Sequence, residues 1–267
     1  MDSYKLTQTQ LDQFHADGFL LVEELFDEEE IGLLQRIAEC DQRLVDDSYV
    51  RADGDGGITR LTARTVLDDD IYSAFVRCPR LLGPIEQILE GEAYHWNHKM
   101  MFKDPRVGGA WEWHQDYGYW YVEHACLFPL LASCLIAVDP ATEENGCIQA
   151  IRGSSRMGRV EHQYVAGQMS ADAERVEAAL ERLELVHCVM APGSALFFDG
   201  NLIHRSDHNH SDQRRWALIC SYNAARNSPF KKMPRGNPSY SKLETQPDAL
   251  IKQIGRRQLA ALQTQSV

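Results

Sequence analysis

Between residues 94 and 223 the chain breaks into seven strand-length segments, and no other feature limits its choice of folds as much. They span 94–103, 111–117, 132–138, 147–151, 186–190, 194–198 and 215–223, parted by turn-forming clusters such as Asp139-Pro140 and Glu144-Asn145-Gly146. Short strands at regular spacing with turn chemistry between them specify a β-sandwich or jelly roll. One stretch interrupts the series. Residues 170–184 are rich in Ala, Glu, Arg and Leu, with Ser170 placed to cap them, and read as a helix inserted between two strands. In the first segment Tyr94, Trp96, His98, Met100 and Phe102 alternate with His95, Asn97, Lys99, Met101 and Lys103, which predicts one aromatic, apolar face and one polar face.

The flanking sequence is helical in character. Thr7 or Thr9 can cap a helix that Gly18 stops, residues 19–22 form a short apolar strand, and Asp27 caps a helix that buries Ile31, Leu34, Ile37 and Ala38. Residues 81–89 form another helix closed by Gly91, RADGDGG at 51–57 is loop, 228–242 is loop rich in Pro and Gly, and 248–263 is a final helix. The expected organisation is a single domain over 1–267: a mostly helical part (1–93), a jelly-roll core (94–227) and a C-terminal loop and helix (228–267). At 267 residues and 44% hydrophobic content the chain can bury one sizeable core.

Charge and cysteine content narrow the class. A net charge of -12 with only short basic clusters (Lys231, Lys232 and Arg235; Arg256 and Arg257) leaves no surface for phosphate backbones, so no nucleic-acid partner is expected. The seven cysteines are odd in number and lack any CxxC pair, as in a reduced, cytoplasmic protein. No basic start precedes an apolar run, and no window approaches a membrane span. Nothing in the sequence specifies an oligomer.

His114 and Asp116 flank one residue in a predicted strand, so both project from one face and can reach one cation. Among ten histidines an HxD also arises by chance, and context has to decide. The context is His204, which follows a turn and two aliphatics, and Arg215 at the head of a strand. Arg215 shares its face with Ala217 and Ile219, where an unpaired guanidinium is very costly. It therefore meets a carboxylate, from the protein or from a bound diacid whose shape its planar fork matches. Arg214 is the competing anchor, and strand parity admits only one of the two. Two imidazoles and one carboxylate with open positions are the ligand set of mononuclear iron(II) oxygenases.

With these residues in place the sequence resembles the phytanoyl-CoA dioxygenase family of iron(II)- and 2-oxoglutarate-dependent oxygenases. The resemblance is carried by LDQFHADGFLLVEELFDEEEI near the N-terminus, Trp113-His114-Gln115-Asp116, the turn at 143–146 with Arg152-Gly153-Ser154-Ser155, and the run from His204 to Arg215. It implies a double-stranded β-helix, a cupin-like jelly roll, mainly β with flanking helices. It further implies that His114, Asp116 and His204 bind iron and that Arg215 and Ser206 hold the distal carboxylate of 2-oxoglutarate. Asn97, with Lys99 and Lys103 behind it, is the candidate for further cosubstrate contacts. The implied reaction couples decarboxylation of 2-oxoglutarate by O2, giving succinate and CO2, to hydroxylation of a small molecule. Asp116 favours hydroxylation, because related halogenases replace this carboxylate with a small residue to admit chloride.

Substrate contacts are expected from rings and cations near the ligands: Tyr117 and Trp120, which follow the HxD, and Arg226, with His162 as a further candidate. Arg205 either narrows the pocket or points outward. Two other readings remain open: a catalytically silent jelly roll that keeps the metal site for binding or structure, and a zinc hydrolase.

Overall fold

Capping chemistry sets the first elements of the computed structural model, which describes residues 4–53, 56–165, 168–233 and 238–265. Thr7 and Gln10 exchange side-chain and backbone hydrogen bonds to open α1 (Gln8–Asp17), and Gly18 at φ 83° closes it. A Cβ at Gly18 would fall 2.6 Å from Ser155 Oγ, so both backbone conformation and space require glycine there. After β1 (Phe19–Val22), Asp27 and Glu30 form a second capping box that opens α2 (Glu28–Cys40), with Ile31, Leu34, Ile37 and Ala38 buried. Then come α3 (Gln42–Asp46), β2 (Tyr49–Ala52), β3 (Ile58–Arg64), α4 (Ile71–Arg77) and α5 (Pro79–Ile88). Arg51 and Ala52 thus end a strand that sequence assigned to a loop; residues 54 and 55 lie outside the described ones.

The second half continues through β4 (Ala93–Lys103), β5 (Trp111–His114), α6 (Asp116–His124), β6 (Leu131–Ala137), β7 (Ile148–Ile151), β8 (His162–Val165), β9 (Gln168–Ala171), α7 (Ala173–Leu180), β10 (Leu185–Cys188), β11 (Ala195–Asp199), β12 (His204–Ser206), β13 (Arg215–Ala224) and α8 (Ala249–Gln265). Seven strands form one sheet in the order β1-β11-β6-β13-β4-β3-β2, and four form another in the order β10-β7-β12-β5. The pairings within both sheets are antiparallel. These two sheets with flanking helices are the jelly roll. The inserted helix is shorter than sequence implied. Ser170 lies in β9, paired with β8, and Asp172 caps the helix instead, because a hairpin takes up the residues before it.

Two corrections bear on the site. Strand 111–117 ends at His114, and Asp116 is the first residue of α6. In β4 the register with β13 shifts, so that Ser221 faces Asn97 and Tyr222 faces His95, leaving Trp96 as the extra residue of a β-bulge. The bulge moves Tyr94 and Trp96 off the face they were expected to share with Met100 and Phe102. Tyr94 and Trp96 pack with Tyr117 and Trp120. Met100 and Phe102 join Trp216, Leu218 and the residues of α2, α4 and α5 on the helix-covered side of the large sheet. The opposite side of that sheet meets the small one through Leu135, Ala150, Leu196, Phe198 and Ala217. Burying each such large apolar side chain contributes on the order of 1.5–3 kcal/mol.

Candidate metal centre

β5 and β12 are hydrogen-bonded neighbours, and their register sets His114 opposite His204. The ring centres are 4.2 Å apart, and both residues are buried. Each Nδ1 donates to a nearby carbonyl: His114 to Glu112 O at 2.7 Å, His204 to Leu202 O at 3.0 Å. Those bonds fix the tautomer and leave both Nε2 lone pairs free, which is how metal-binding imidazoles are held. Burial pushes both imidazoles below their usual range, His114 well below it, with the charge of His204 adding to the effect there. The site therefore refuses protons and is suited to another cation.

Asp116 completes the set from the start of α6. Its Oδ1 is 3.8 Å from His114 Nε2, and the ligand atoms of His114, Asp116 and His204 all lie within 4.8 Å of one another. Its Oδ2 accepts from Ser133 Oγ at 2.9 Å, and Ser133 is 2.9 Å from Ser221 Oγ. One carboxylate oxygen is thus held and the other is left for a metal.

The turn between the two ligands is clamped. Gln115, fully buried, donates to Gly158 O and Asn201 O at 2.8 and 2.6 Å and accepts from Val160 N–H at 2.9 Å. The Gln115 backbone N–H donates to His162 Nε2 at 3.0 Å, and a Cβ at Gly118 would fall 2.4 Å from the His162 ring. His162 therefore braces the ligand-bearing turn instead of meeting a substrate. Sequence reasoning missed this clamp and Ser133. The one available signal was a serine at an inward position of an otherwise apolar strand.

A cavity of about 210 Å³ opens onto the three ligands and is lined also by Asn97, Lys99, Ser206 and Arg215. Arg215 is buried; its Nη2 donates to Gly146 O at 2.6 Å, and its Nε has no partner among the described residues. Burial pulls the guanidinium down to about 10. Lys103, opposite Arg215 in the β4–β13 register, is 2% exposed. Its Nζ donates to Ser206 Oγ at 3.0 Å and to Asp207 O. Burial, and then the charge of Arg215, hold that ammonium well below its usual value. Two adjacent buried cations and a serine hydroxyl, with no carboxylate within 4.0 Å among the described residues, form an anion-binding end to the cavity. Asn97 Oδ1 is likewise buried without a partner there.

Arg214 points the other way, to Glu39 and Asp139 at 2.7 and 3.1 Å, with its guanidinium 4.0 Å from the Trp216 ring centre. Arg205 stands in the cavity wall, where it donates to Gln149 at 2.8 Å and lies over Trp113. Trp120 lines the cavity and stacks on Trp96 at 4.8 Å. Two expected substrate contacts are elsewhere. Tyr117 is turned into the cluster beneath α6 and donates to Leu127 O at 2.5 Å, because the helix, unlike a strand, rotates it away from Asp116. Arg226 caps the end of α5, donating to Leu89 O and Glu90 O at 2.7 and 3.3 Å.

The sequence model of the phytanoyl-CoA dioxygenase family matches residues 14–217. The chain belongs to this family. Among its relatives, the L-proline trans-4-hydroxylase of Streptomyces griseoviridis is 34% identical over 176 residues, which are 60% of this chain and 66% of that enzyme. The chain thus spans just under two thirds of that hydroxylase. The ectoine dioxygenase of Bordetella parapertussis is 27% identical over 240 residues, covering 84% of this chain and 77% of that one. Of solved structures, EctD from S. alaskensis with bound Fe overlays with a TM-score of 0.77 at 21% identity, covering 92% of this chain and 89% of the other. At that identity the overlay speaks for the fold, and the phytanoyl-CoA dioxygenase family's jelly roll is what it shows.

Proposed function

We propose that the whole chain, 1–267, is one Fe(II)- and 2-oxoglutarate-dependent dioxygenase that hydroxylates a small molecule, consuming O2 and releasing succinate and CO2. One observation carries this reading: the free Nε2 atoms of His114 and His204, the open oxygen of Asp116 and the unpartnered Nε of Arg215 all belong to one cavity. The donor set fits iron(II), since two neutral imidazoles and a carboxylate leave three coordination positions for other ligands. Bound iron would supply the oxidising chemistry.

The protein's own part is to bind and orient. Arg215 and Ser206 receive the distal carboxylate of 2-oxoglutarate, Lys103 holds the Ser206 hydroxyl, and Asn97 and Lys99 face the same space from β4. Ser133 keeps the Asp116 carboxylate turned to the metal. Trp120 and the aromatic wall exclude water from the reacting atoms. A cytoplasmic setting is supported by seven cysteines that are all unpaired, six of them buried. Among the described residues no helix is long and apolar enough to cross a membrane.

The test is anaerobic reconstitution with iron(II) followed by 2-oxoglutarate. A visible charge-transfer band is expected, and air should then release succinate slowly even without a substrate. Metal binding with no succinate under any condition would favour the silent jelly roll. Absence of the band with tightly bound zinc would favour a hydrolase.

A further inference from the structure

β5, which ends on His114, is an edge strand: β12 pairs with one side of it, and no strand of the small sheet covers the other. Such an edge leaves backbone N–H and C=O groups in need of partners. Here a side chain supplies them. Gln168, at the head of β9 and 0% exposed, accepts from the Glu112 N–H at 3.1 Å and donates to Ala110 O at 3.2 Å. Those are the two bonds that the peptide of a neighbouring parallel strand would make across Trp111. A primary amide carries one hydrogen more than a peptide, and Gln168 Nε2 also reaches Ala52 O, the last carbonyl of β2, at 3.3 Å. Asp53 strengthens the same junction from the β2 side, accepting from the Ala110 N–H at 2.7 Å.

The junction stands behind both a metal ligand and the cavity mouth. The Glu112 carbonyl is the group that accepts from His114 Nδ1 at 2.7 Å, so a tilt of residue 112 turns the imidazole whose Nε2 faces the metal position. Trp111, bracketed by the two Gln168 bonds, lines the cavity 6.1 Å from the centre of the His114 ring. The Arg51 guanidinium, from the β2 residue just before Ala52, lies 5.1 Å from the Trp111 ring centre. β9 belongs to neither main sheet but to a two-stranded ribbon with β8, which meets the ligand-bearing turn again where His162 accepts from the Gln115 N–H. One buried amide thus joins β2, β5 and the ribbon. The cosubstrate end is built separately, from Arg215 on β13 and Ser206 on β12.

We infer that Gln168 is a positioning residue for the metal centre, acting through Glu112 on His114 and holding the Trp111 and Arg51 wall of the mouth in register with it. This rests on the dioxygenase reading above. Anaerobic iron(II) titration of the full chain reads the effect without turnover, and 2-oxoglutarate titration of the iron-loaded protein, followed by its charge-transfer band, reads cosubstrate binding separately. Gln168→Met, close in size and without the amide, should weaken iron(II) about tenfold, as for an outer partner of a ligating histidine, and leave the half-saturating 2-oxoglutarate concentration unchanged. Gln168→Glu is the rescue. Full burial keeps its carboxyl protonated, so that it accepts from Glu112 N–H and donates to Ala110 O as the amide does, and iron affinity should return to within about threefold of native.

Tyr164→Phe is the control for the ribbon as a whole. It removes the hydrogen bond from β8 to Glu123 without touching β5 and should leave iron affinity as it is. If Gln168→Met does not fold, Gln168→Asn, which holds the amide one methylene short of β5, takes its place with the same expected loss. Native iron affinity in the folded variant, a loss in Tyr164→Phe as large as that at Gln168, no recovery in Gln168→Glu, or a parallel rise in the 2-oxoglutarate requirement would each overturn the assignment while leaving the dioxygenase reading intact. A native chain that binds no iron(II) would instead remove that reading, and the assignment with it.

Discussion

At the residue scale the site is a set of atoms held open by neighbours whose own hydrogen bonds are complete. Arg215 and Asn97 are exceptions, with an Nε and an Oδ1 that nothing described satisfies. Arg215→Ala should therefore raise the 2-oxoglutarate KM on the order of 10- to 100-fold, as expected for a charged hydrogen-bond partner, and leave iron affinity unchanged. Loss of metal in an anaerobic iron titration would show that the arginine supports the ligands instead. Ser133 makes the complementary case. Its hydroxyl links Ser221 to the Asp116 oxygen turned away from the metal position, so Ser133→Ala should weaken iron(II) about tenfold through orientation alone. An unchanged titration would remove Ser133 from the site. The ligands were legible in sequence because chemistry restricts them to few residue types at few spacings. Ser133 and Gln115 were not, since their meaning comes from partners 17 to 86 positions away that only the fold brings near. Tyr117 and Arg226 misled for the opposite reason: nearness in sequence to a ligand or a strand end does not fix where a side chain points.

At the scale of single elements, alternation and capping read well, and departures from regularity did not. Both capping boxes stand where the sequence marks them, and β13 keeps Arg215, Ala217 and Ile219 inside as strand parity requires. The β4 bulge has no sequence signature, because it answers to register with β13 and to packing of Trp96 under α6. Its result is that His95 and His98, three apart, meet on the helix side with His98 Nδ1 and His95 Nε2 at 3.1 Å. Such a pair needs one ring to donate and the other to accept, so the two cannot both be protonated. Burial lowers His95 to about 3 and His98 to about 4 from 6.5, helped for His95 by His98 and for His98 by Arg64, with Arg77 acting on both and Asp68 opposing at His98. Between pH 6.5 and about 4 the unfolded chain takes up protons that the folded chain refuses. Stability is therefore lost as pH falls through this window, by up to about 1.4 kcal/mol per pH unit for each ring, and the penalty is absent above it. Thermal unfolding from pH 7 to 4 should show a steeper loss for the native chain than for a His95→Gln, His98→Gln double variant. Equal slopes would mean that the pair carries no part of the acid sensitivity.

For the whole molecule, the helix layer does for the large sheet what the small sheet does on its other face, and α8 closes that layer from the C-terminus. Its Ile251 and Ile254 are buried in the same cluster as Leu33 and Leu34 of α2 and Ile71 and Phe75 of α4. A Cβ at Gly255 would approach Ile71 Cδ1 to 2.9 Å, which shows how closely the helix is seated. Around this apolar seam lies a ring of surface ion pairs, Lys252 with Asp27, Arg256 with Glu29 and Arg257 with Asp69. The two kinds of contact should differ widely in weight. Truncating a fully buried aliphatic removes transfer energy and leaves a cavity, whereas exposed ion pairs gain little in water and are screened by salt. Ile251→Ala is expected to cost about 2–5 kcal/mol of unfolding free energy in urea titrations. Lys252→Ala should cost less than about 1 kcal/mol, and that loss should fade as salt is raised. Because α8 is far from the ligands in the chain and contributes nothing to the cavity lining, iron affinity of the folded Ile251→Ala protein should match that of the native chain. A charge variant as damaging as the isoleucine variant would mean that the ring of ion pairs, and not the apolar seam, fastens the helix.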